Sequence, residues 1–242
     1  MSAVALAWEQ FRFERRLFWR NPSAAFFNFF LPLILLLLIV SVFAHESNEL
    51  EVLIPGIAGM SVMATTFNAF SFNLTFLREE GILKRVRGTP IPTGSYLAGV
   101  IGSAVANAFV TVALVVLIGH LLYGVEWPRE PLTLVLFTGL GVTSFAALGI
   151  AFSQAIPNVD SAPAYSNAVF LPVIFISGVF YSSDDLPPVL SAIAQALPLK
   201  HVIDGLSAGI VGSAVNTGVA ALVVGGWALA GIALSARFFR WS

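Results

Sequence analysis

The sequence contains no cysteine, and only 10 % of its 242 residues are Asp, Glu, Lys or Arg. The absence of cysteine excludes disulfide bonds and thiolate metal sites. Soluble domains have about 25 % charged residues, so the 12 basic and 13 acidic side chains here are too few to cover a water-exposed surface. The net charge of −1 provides no general attraction to nucleic acid, and we expect no such partner. With 57 % hydrophobic residues, the chain is predicted to be an integral membrane protein.

The sequence also lacks motifs that would supply energy or catalysis. It has neither the Gly-x-x-x-x-Gly-Lys-[Ser/Thr] loop that binds nucleotide phosphates nor a His-Glu-x-x-His zinc helix. No charged residue lies in the middle of a long apolar stretch, where ion-coupled carriers hold the group whose charge changes. His45, His120 and His201 are isolated and are predicted to be interfacial anchors rather than metal ligands. We therefore expect a chain that is not an enzyme, binds no metal or cofactor itself, and depends on an external source of energy.

Six stretches are long and apolar enough to cross a bilayer, for which a helix needs about 20 residues. They lie near residues 24–44, 52–77, 96–119, 132–156, 163–181 and 215–236. The connections between them are short except the one at 182–214. The sequence therefore predicts one membrane domain over residues 1–242.

The basic residues indicate the direction of insertion, because Lys and Arg are enriched in cytoplasmic loops. Alternation of the six spans leaves only Arg129 and Lys200, of the 12 basic residues, on the outer side. Both termini are therefore predicted to be cytoplasmic, in a multi-pass protein of the plasma (inner) membrane.

Two further segments are apolar without being predicted to span. Residues 3–20 place charged and aromatic side chains on opposite helical faces, which is typical of an amphipathic helix at the membrane interface. Within 182–214, prolines bound the short apolar stretches 189–197 and 199–211, which predicts a pair of helices that re-enter the outer leaflet. The predicted fold class is thus all-α, with six transmembrane helices, an N-terminal interfacial helix and an outer re-entrant helix pair.

The most polar stretch of the chain follows the second span, at 78–92. Between residues 77 and 93 it contains six charges, two glycines and two prolines, which predict a short charged helix between turns. Ile82, Leu83 and Val86 have a helical spacing that suits docking into a groove of another protein. On residue chemistry alone, a loop that only fixes the topology is the stronger interpretation.

Two sequence motifs favour the docking interpretation of this stretch. The segment Arg-Glu-x-Gly-x-Leu-x-Arg at 78–85, followed by Thr-Pro at 89–90, resembles the coupling helix of the ABC-2 type transporter permeases, a group that includes drug and polysaccharide exporters. A second series, on the outer side, is similar to one in that family: Pro172, Ser177-Gly178, Phe180, Leu186-Pro187 and Leu197-Pro198. With the six-span layout, the resemblance covers nearly the whole chain.

This resemblance implies partners and coupling residues. It implies a separate cytoplasmic ABC ATPase, in two copies, which binds ATP and Mg, and a second copy of this chain or a sister permease to complete twelve spans within membrane lipid. The coupling residues that it implies are Arg78, Glu79, Glu80, Gly81, Lys84, Arg85, Arg87 and Pro90.

Polar residues inside the spans form the other candidate site. Hydrogen bonds between helices are the default interpretation of any one of them, but as a set they predict a lined cavity. In the family, spans 2 and 5 border the transport path, which implies the substrate contacts Asn68, Asn73, Asn167, Phe170 and Phe175. Amides and aromatic rings without charge suit an amphiphilic or apolar cargo.

The favoured hypothesis is the permease subunit of an ATP-driven exporter that moves a drug-like molecule or a lipid out of the cytoplasm or inner leaflet. The alternatives are an ATPase-independent channel and a membrane scaffold whose charged loop recruits another factor. A proton-coupled carrier ranks last, because the spans contain no buried acid.

Overall fold

The computed structural model of the chain describes residues 2–43, 47–88, 91–181 and 186–238, and the regular structure within them is helical. In chain order the helices are α1 (Ala3–Trp19), α2 (Pro22–Phe43), α3 (Ser47–Met63), a π-helical turn (Ala64–Asn68), α4 (Ala69–Glu79), α5 (Ile82–Arg87), α6 (Thr93–Tyr123), α7 (Pro131–Ser153), α8 (Ala162–Ile176), α9 (Pro188–Ala196), α10 (Pro198–Val211) and α11 (Thr217–Phe238).

Five helical segments of the described chain are long and apolar enough to cross a membrane: α2, the continuous rod from α3 through α4, α6, α7 and α11. The fifth predicted span, at 163–181, is shorter, because α8 has 15 residues and reaches only about 22 Å. The helix ends at Ile176, and after the C-cap residue Ser177 the chain turns at Gly178, which has a left-handed backbone with φ of 76°. The all-α membrane fold class is confirmed, with a shortened fifth span.

The N-terminal helix lies along the first half of α6. Ser95 at one end donates a hydrogen bond to the carbonyl of Ala3 (2.9 Å), and Arg15 donates to the side-chain oxygen of Asn107 at the other end. The two contacts are separated by 12 residues on each helix, so the helices run side by side in the same direction. Gly99 permits the approach, because a Cβ there would lie 2.6 Å from the side chain of Gln10.

The short pair α9 and α10 occupies the predicted outer segment, although residues 182–185 of that segment lie outside the described residues. Helix α10 is a core element that packs on α3, α7 and α11. Gly205 makes this possible, because a Cβ on it would lie 2.0 Å from the Phe137 ring. Helix α9 is mostly exposed and is tied to α11 by the Trp227 indole, which donates to the carbonyl of Ala196 (2.8 Å).

Candidate functional site

A cleft of about 790 Å³ lies among α1, α2, the α3–α4 rod, α6 and α8. Six of the nine asparagines of the sequence line it: Asn21, Asn28, Asn68, Asn73, Asn107 and Asn167. An amide in a membrane helix needs a hydrogen-bonding partner, so this concentration of amides in one place indicates a site rather than scattered helix contacts.

Two of these amides are already engaged across helices. The Asn28 side chain of α2 lies 3.5 Å from the hydroxyl of Thr111 in α6, and Asn107 accepts the hydrogen bond from Arg15. In contrast, the buried side-chain oxygen of Asn68 has no hydrogen-bond donor among the described residues. A buried acceptor without a donor costs free energy in the folded protein.

Aromatic rings supply the apolar part of the lining. Phe70 is 2 % exposed and forms part of the floor, whereas Phe27 is 62 % exposed. Five phenylalanines line the cleft in all: Phe18, Phe27, Phe70, Phe72 and Phe170. A concave, mostly apolar surface with a few fixed polar groups is the usual form of a small-molecule site.

The π-helical turn contributes Ala64, Thr65 and Asn68 to the cleft. The hydroxyl of Thr65 donates to the carbonyl of Ser61 (2.8 Å), so it offsets part of the disturbed backbone bonding of the turn. Behind the turn, Gly149 of α7 approaches so closely that a Cβ there would lie 2.7 Å from the carbonyl oxygen of Phe67. Single π-turns are frequent at functional sites, and this one sets the direction in which Asn68 points.

The substrate contacts implied by the sequence fall into two groups. Asn68, Asn73, Asn167 and Phe170 line the same cleft. Phe175 does not line it: its ring lies 5.6 Å from that of Phe180, near the end of α8, and the residue is 53 % exposed. The structure thus brings together four of the five implied substrate contacts, and the role of all five in transport stays a prediction.

Two residues of the implied coupling segment form hydrogen bonds with another part of this chain. Arg78 donates to the carbonyls of Ser153 (3.0 Å) and Ile156, and the Glu79 carboxylate accepts from the backbone amide of Val159 (2.6 Å). These bonds join the end of α4 to the loop between α7 and α8. Glu79, a charged residue of the implied coupling segment, is thereby connected to the loop that leads into α8. Helix α8 in turn contributes Asn167 and Phe170 to the cleft.

The rest of the segment divides into an anchored face and an exposed face. Leu83 is 1 % exposed and packs with Phe70, Leu74 and Tyr96, so the expectation that it docks into a partner groove is wrong. It is buried because α5 packs over one end of this core. Lys84 and Arg85 are exposed, as is Glu80.

A glycine sets the direction of this segment. Gly81 turns the chain between α4 and α5 with a left-handed φ of 67°, which other residues rarely adopt. Pro90 and the side chains of Val86 and Arg87 lie outside the described residues. The coupling role of the segment stays a prediction.

Sequence reasoning missed the contribution of α1 and α2 to the cleft. Glu14 and Asn21 line it from the N-terminal helix and the turn that follows, and Asn28 lines it from α2. The signal was present, since Asn28 is a single amide within a strongly apolar span. Among the described residues, no group of three His, Asp or Glu could hold a metal ion.

Helix α10 contains a short glycine–serine motif. Residues 205–209 read Gly-Leu-Ser-Ala-Gly, which has the spacing of the nucleophile elbow of hydrolases. That elbow is a sharp turn between a strand and a helix, whereas these residues lie inside α10. Gly205 and Gly209 face Phe137 and Leu134 of α7, so the two glycines serve helix packing.

The long apolar helices define a multi-pass membrane protein, and phenylalanines and amides line the cleft between them. Residues 4–211 match the ABC-2 type transporter family, and the chain belongs to this family.

Relatives with known names are similar over much of the chain. An inner membrane transport permease, YadH of Escherichia coli (strain K12), is 25 % identical over 171 residues, which are 69 % of this chain and 65 % of YadH. Nodulation protein J of Rhizobium leguminosarum bv. trifolii is 26 % identical over 61 % of this chain and 56 % of its own length. The linearmycin resistance permease protein LnrN of Bacillus subtilis (strain 168) is 22 % identical over 62 % and 39 %. The chain thus covers less than two thirds of each of these relatives.

Proposed function

We propose that this chain is the membrane subunit of an ATP-driven exporter of amphiphilic or apolar molecules, such as drug-like compounds or lipids. The cleft carries this proposal: it combines phenylalanine rings with amides in a space of about 790 Å³. Such a lining suits a molecule with a large apolar part and a small polar part. The name of one relative, a resistance permease, supports the proposal that the substrate is a harmful compound that is exported from the cell.

The energy comes from a cytoplasmic ABC ATPase, present in two copies, which binds ATP and Mg. A second copy of this chain or a sister permease completes the transporter. The complex lies in the inner membrane among lipids, a location supported by the name of the YadH relative. Both termini of this chain lie in the cytoplasm, an orientation supported by the Lys and Arg residues of the short loops.

In the proposed cycle, the exposed charges of α5 meet the ATPase. Movement of α5 is transmitted through Arg78 and Glu79 to the loop at 153–159 and then to α8. A shift of α8 relative to α2 changes the width of the cleft, because both helices contribute to its walls. The substrate then leaves past the outer pair α9 and α10.

The test is reconstitution into liposomes with and without the partner ATPase. We expect accumulation of a fluorescent amphiphile only with the ATPase and ATP, and no ATP hydrolysis by the permease alone. Transport that continues without the ATPase identifies a channel. Transport that is indifferent to ATP but abolished by a protonophore identifies a proton-coupled carrier.

A double variant tests the coupling segment within the same assay. Glu79→Ala with Gly81→Pro removes the bond to Val159 and the left-handed turn. We expect ATP hydrolysis to persist while transport is lost. Intact transport by this variant contradicts the proposed coupling role.

A further inference from the structure

One carboxylate faces the cleft from the N-terminal helix. Glu14 is the sole ionisable side chain among the described residues that line the cleft. Its Oε1 accepts a hydrogen bond from the side chain of Gln10 (2.8 Å), and no basic side chain of the described residues forms an ion pair with it. Burial raises the pKa of the Glu14 carboxyl, and the bond from Gln10 lowers it in part. The cleft therefore contains a partly desolvated acid without a counter-ion.

The neighbouring cation, Arg15, does not supply that counter-ion. Its guanidinium is bonded to Asn107 and lies 5.5 Å and 5.8 Å from the ring centroids of Phe18 and Trp19. An amide and two aromatic faces thus hold this charge against α6 and α1. Arg15 is not among the residues that line the cleft, whereas Glu14 is.

The remaining lining also favours a positively charged group. The faces of aromatic rings attract cations, and the cleft has five phenylalanines. A neutral or anionic headgroup would leave the Glu14 carboxylate unpaired or repelled in a partly dehydrated site, which costs free energy.

We propose that Glu14 recognises the positively charged headgroup of a cationic amphiphile, whose apolar part lies against the phenylalanines of the cleft. This inference rests on the proposed function, since it takes the cleft as the substrate site. It assigns the amphipathic N-terminal helix a part in substrate selection in addition to its packing on α6.

The experiment measures binding to the full-length permease in nanodiscs of uncharged lipid, without the ATPase. The probes are a dansyl-labelled alkylamine and its N-acetylated analogue, in which an acetyl group on the nitrogen removes the positive charge. We expect wild type to bind the amine more tightly, and Glu14→Gln to weaken amine binding about tenfold or more, as for loss of a charged hydrogen bond. Binding of the acetylated probe is expected to change little.

Glu9→Gln is the matched control. Glu9 lies on the same helix, is exposed, and pairs with Arg12 at 3.2 Å without lining the cleft. We expect amine binding to be unchanged in this variant. Glu14→Asp keeps the charge and is expected to retain part of the preference for the amine.

Three results overturn the proposal: equal affinity of wild type for both probes, unchanged amine affinity in Glu14→Gln, or equal loss of both probes in a folded Glu14→Gln. The comparison of the two probes on wild type tests the preference for a positive charge even where a variant does not fold. Because the ATPase is absent from the binding assay, its result is independent of ATP-driven transport. If the permease prefers the amine but does not transport in the reconstituted complex, only the proposed function is refuted. If it transports but does not prefer the amine, only the role of Glu14 is refuted.

Discussion

The carboxylate of Glu79 and the backbone amide of Val159 are joined by a hydrogen bond of 2.6 Å, although 80 positions separate them in the sequence. This bond connects the end of α4 to the loop that leads into α8. It places one implied coupling residue between the exposed charges of α5 and the wall of the cleft.

Removal of this bond should separate ATP hydrolysis from transport. We expect Glu79→Ala to reduce transport about tenfold, the equivalent of one charge-assisted hydrogen bond, while the ATPase activity of the reconstituted complex remains. Glu126→Ala is the control, because Glu126 is an exposed acid outside the coupling segment. Equal losses in the two variants would show that general charge, rather than the bond to Val159, matters.

The exposed charges of α5 should determine affinity for the ATPase. We expect Lys84→Glu with Arg85→Glu to reduce co-purification of the ATPase, with a larger effect at low salt because screening weakens contacts between charges. Arg237→Glu, an exposed basic residue at the end of α11, is the control. Undiminished co-purification of the first variant at all salt concentrations contradicts a docking role for α5.

The packing of α10 on α7 should depend on a glycine. A Cβ on Gly205 would lie 2.0 Å from the Phe137 ring, so we expect Gly205→Ala to destabilise the protein by about 1–3 kcal/mol. Thermal unfolding in detergent measures this as a lower Tm. Gly226→Ala in α11 is the control, since no atom lies within 4 Å of the added Cβ and alanine favours a helix. A Tm for Gly205→Ala at or above wild type would exclude this close contact.

The bond between Arg15 and Asn107 should hold α1 on α6. Asn107→Leu leaves the partly buried guanidinium without its acceptor, and we expect faster amide hydrogen exchange in residues 3–19. Asn216→Leu, outside this contact, is the control and should leave that exchange unchanged. Unaltered exchange in Asn107→Leu would contradict a role of this bond in holding α1 on α6.

The carboxyl of Glu14 should make stability depend on pH. Burial raises its pKa above the ordinary value of 4.5, so the folded state binds its proton more tightly than the unfolded state does. Its contribution to stability is therefore present below the ordinary pKa and is lost as the pH rises through the higher pKa of the folded state. We expect the Tm of wild type to fall relative to that of Glu14→Gln as the pH rises from about 4.

Glu9→Gln controls for the removal of a charge from α1, because Glu9 is exposed and paired with Arg12. A Tm difference between wild type and Glu14→Gln that is constant with pH would contradict the desolvation of Glu14.

Local patterns were sufficient for the helices and insufficient for the cleft. The prolines at 188 and 198 and the apolar runs after them predicted α9 and α10, because proline restricts where a helix can start. Leu83 was misassigned to a partner because its helical spacing does not reveal whether a face meets another protein or the chain's own core. Glu14 was missed because an acid in an amphipathic helix is ordinarily solvated.

The sequence by itself determined the membrane class, the helical segments and the presence of amides in the spans, since these follow from composition and from patterns within about 20 residues. The family was indicated by the resemblance of the motifs at 78–90 and 172–198. Only the tertiary structure decided which side chains meet. It brought Asn167 of α8 beside Asn68 of the π-helical turn, joined Glu79 to Val159, and turned Glu14 into the cleft. These relationships depend on how helices distant in the sequence pack, and close approach at residues such as Gly149 and Gly205 governs that packing.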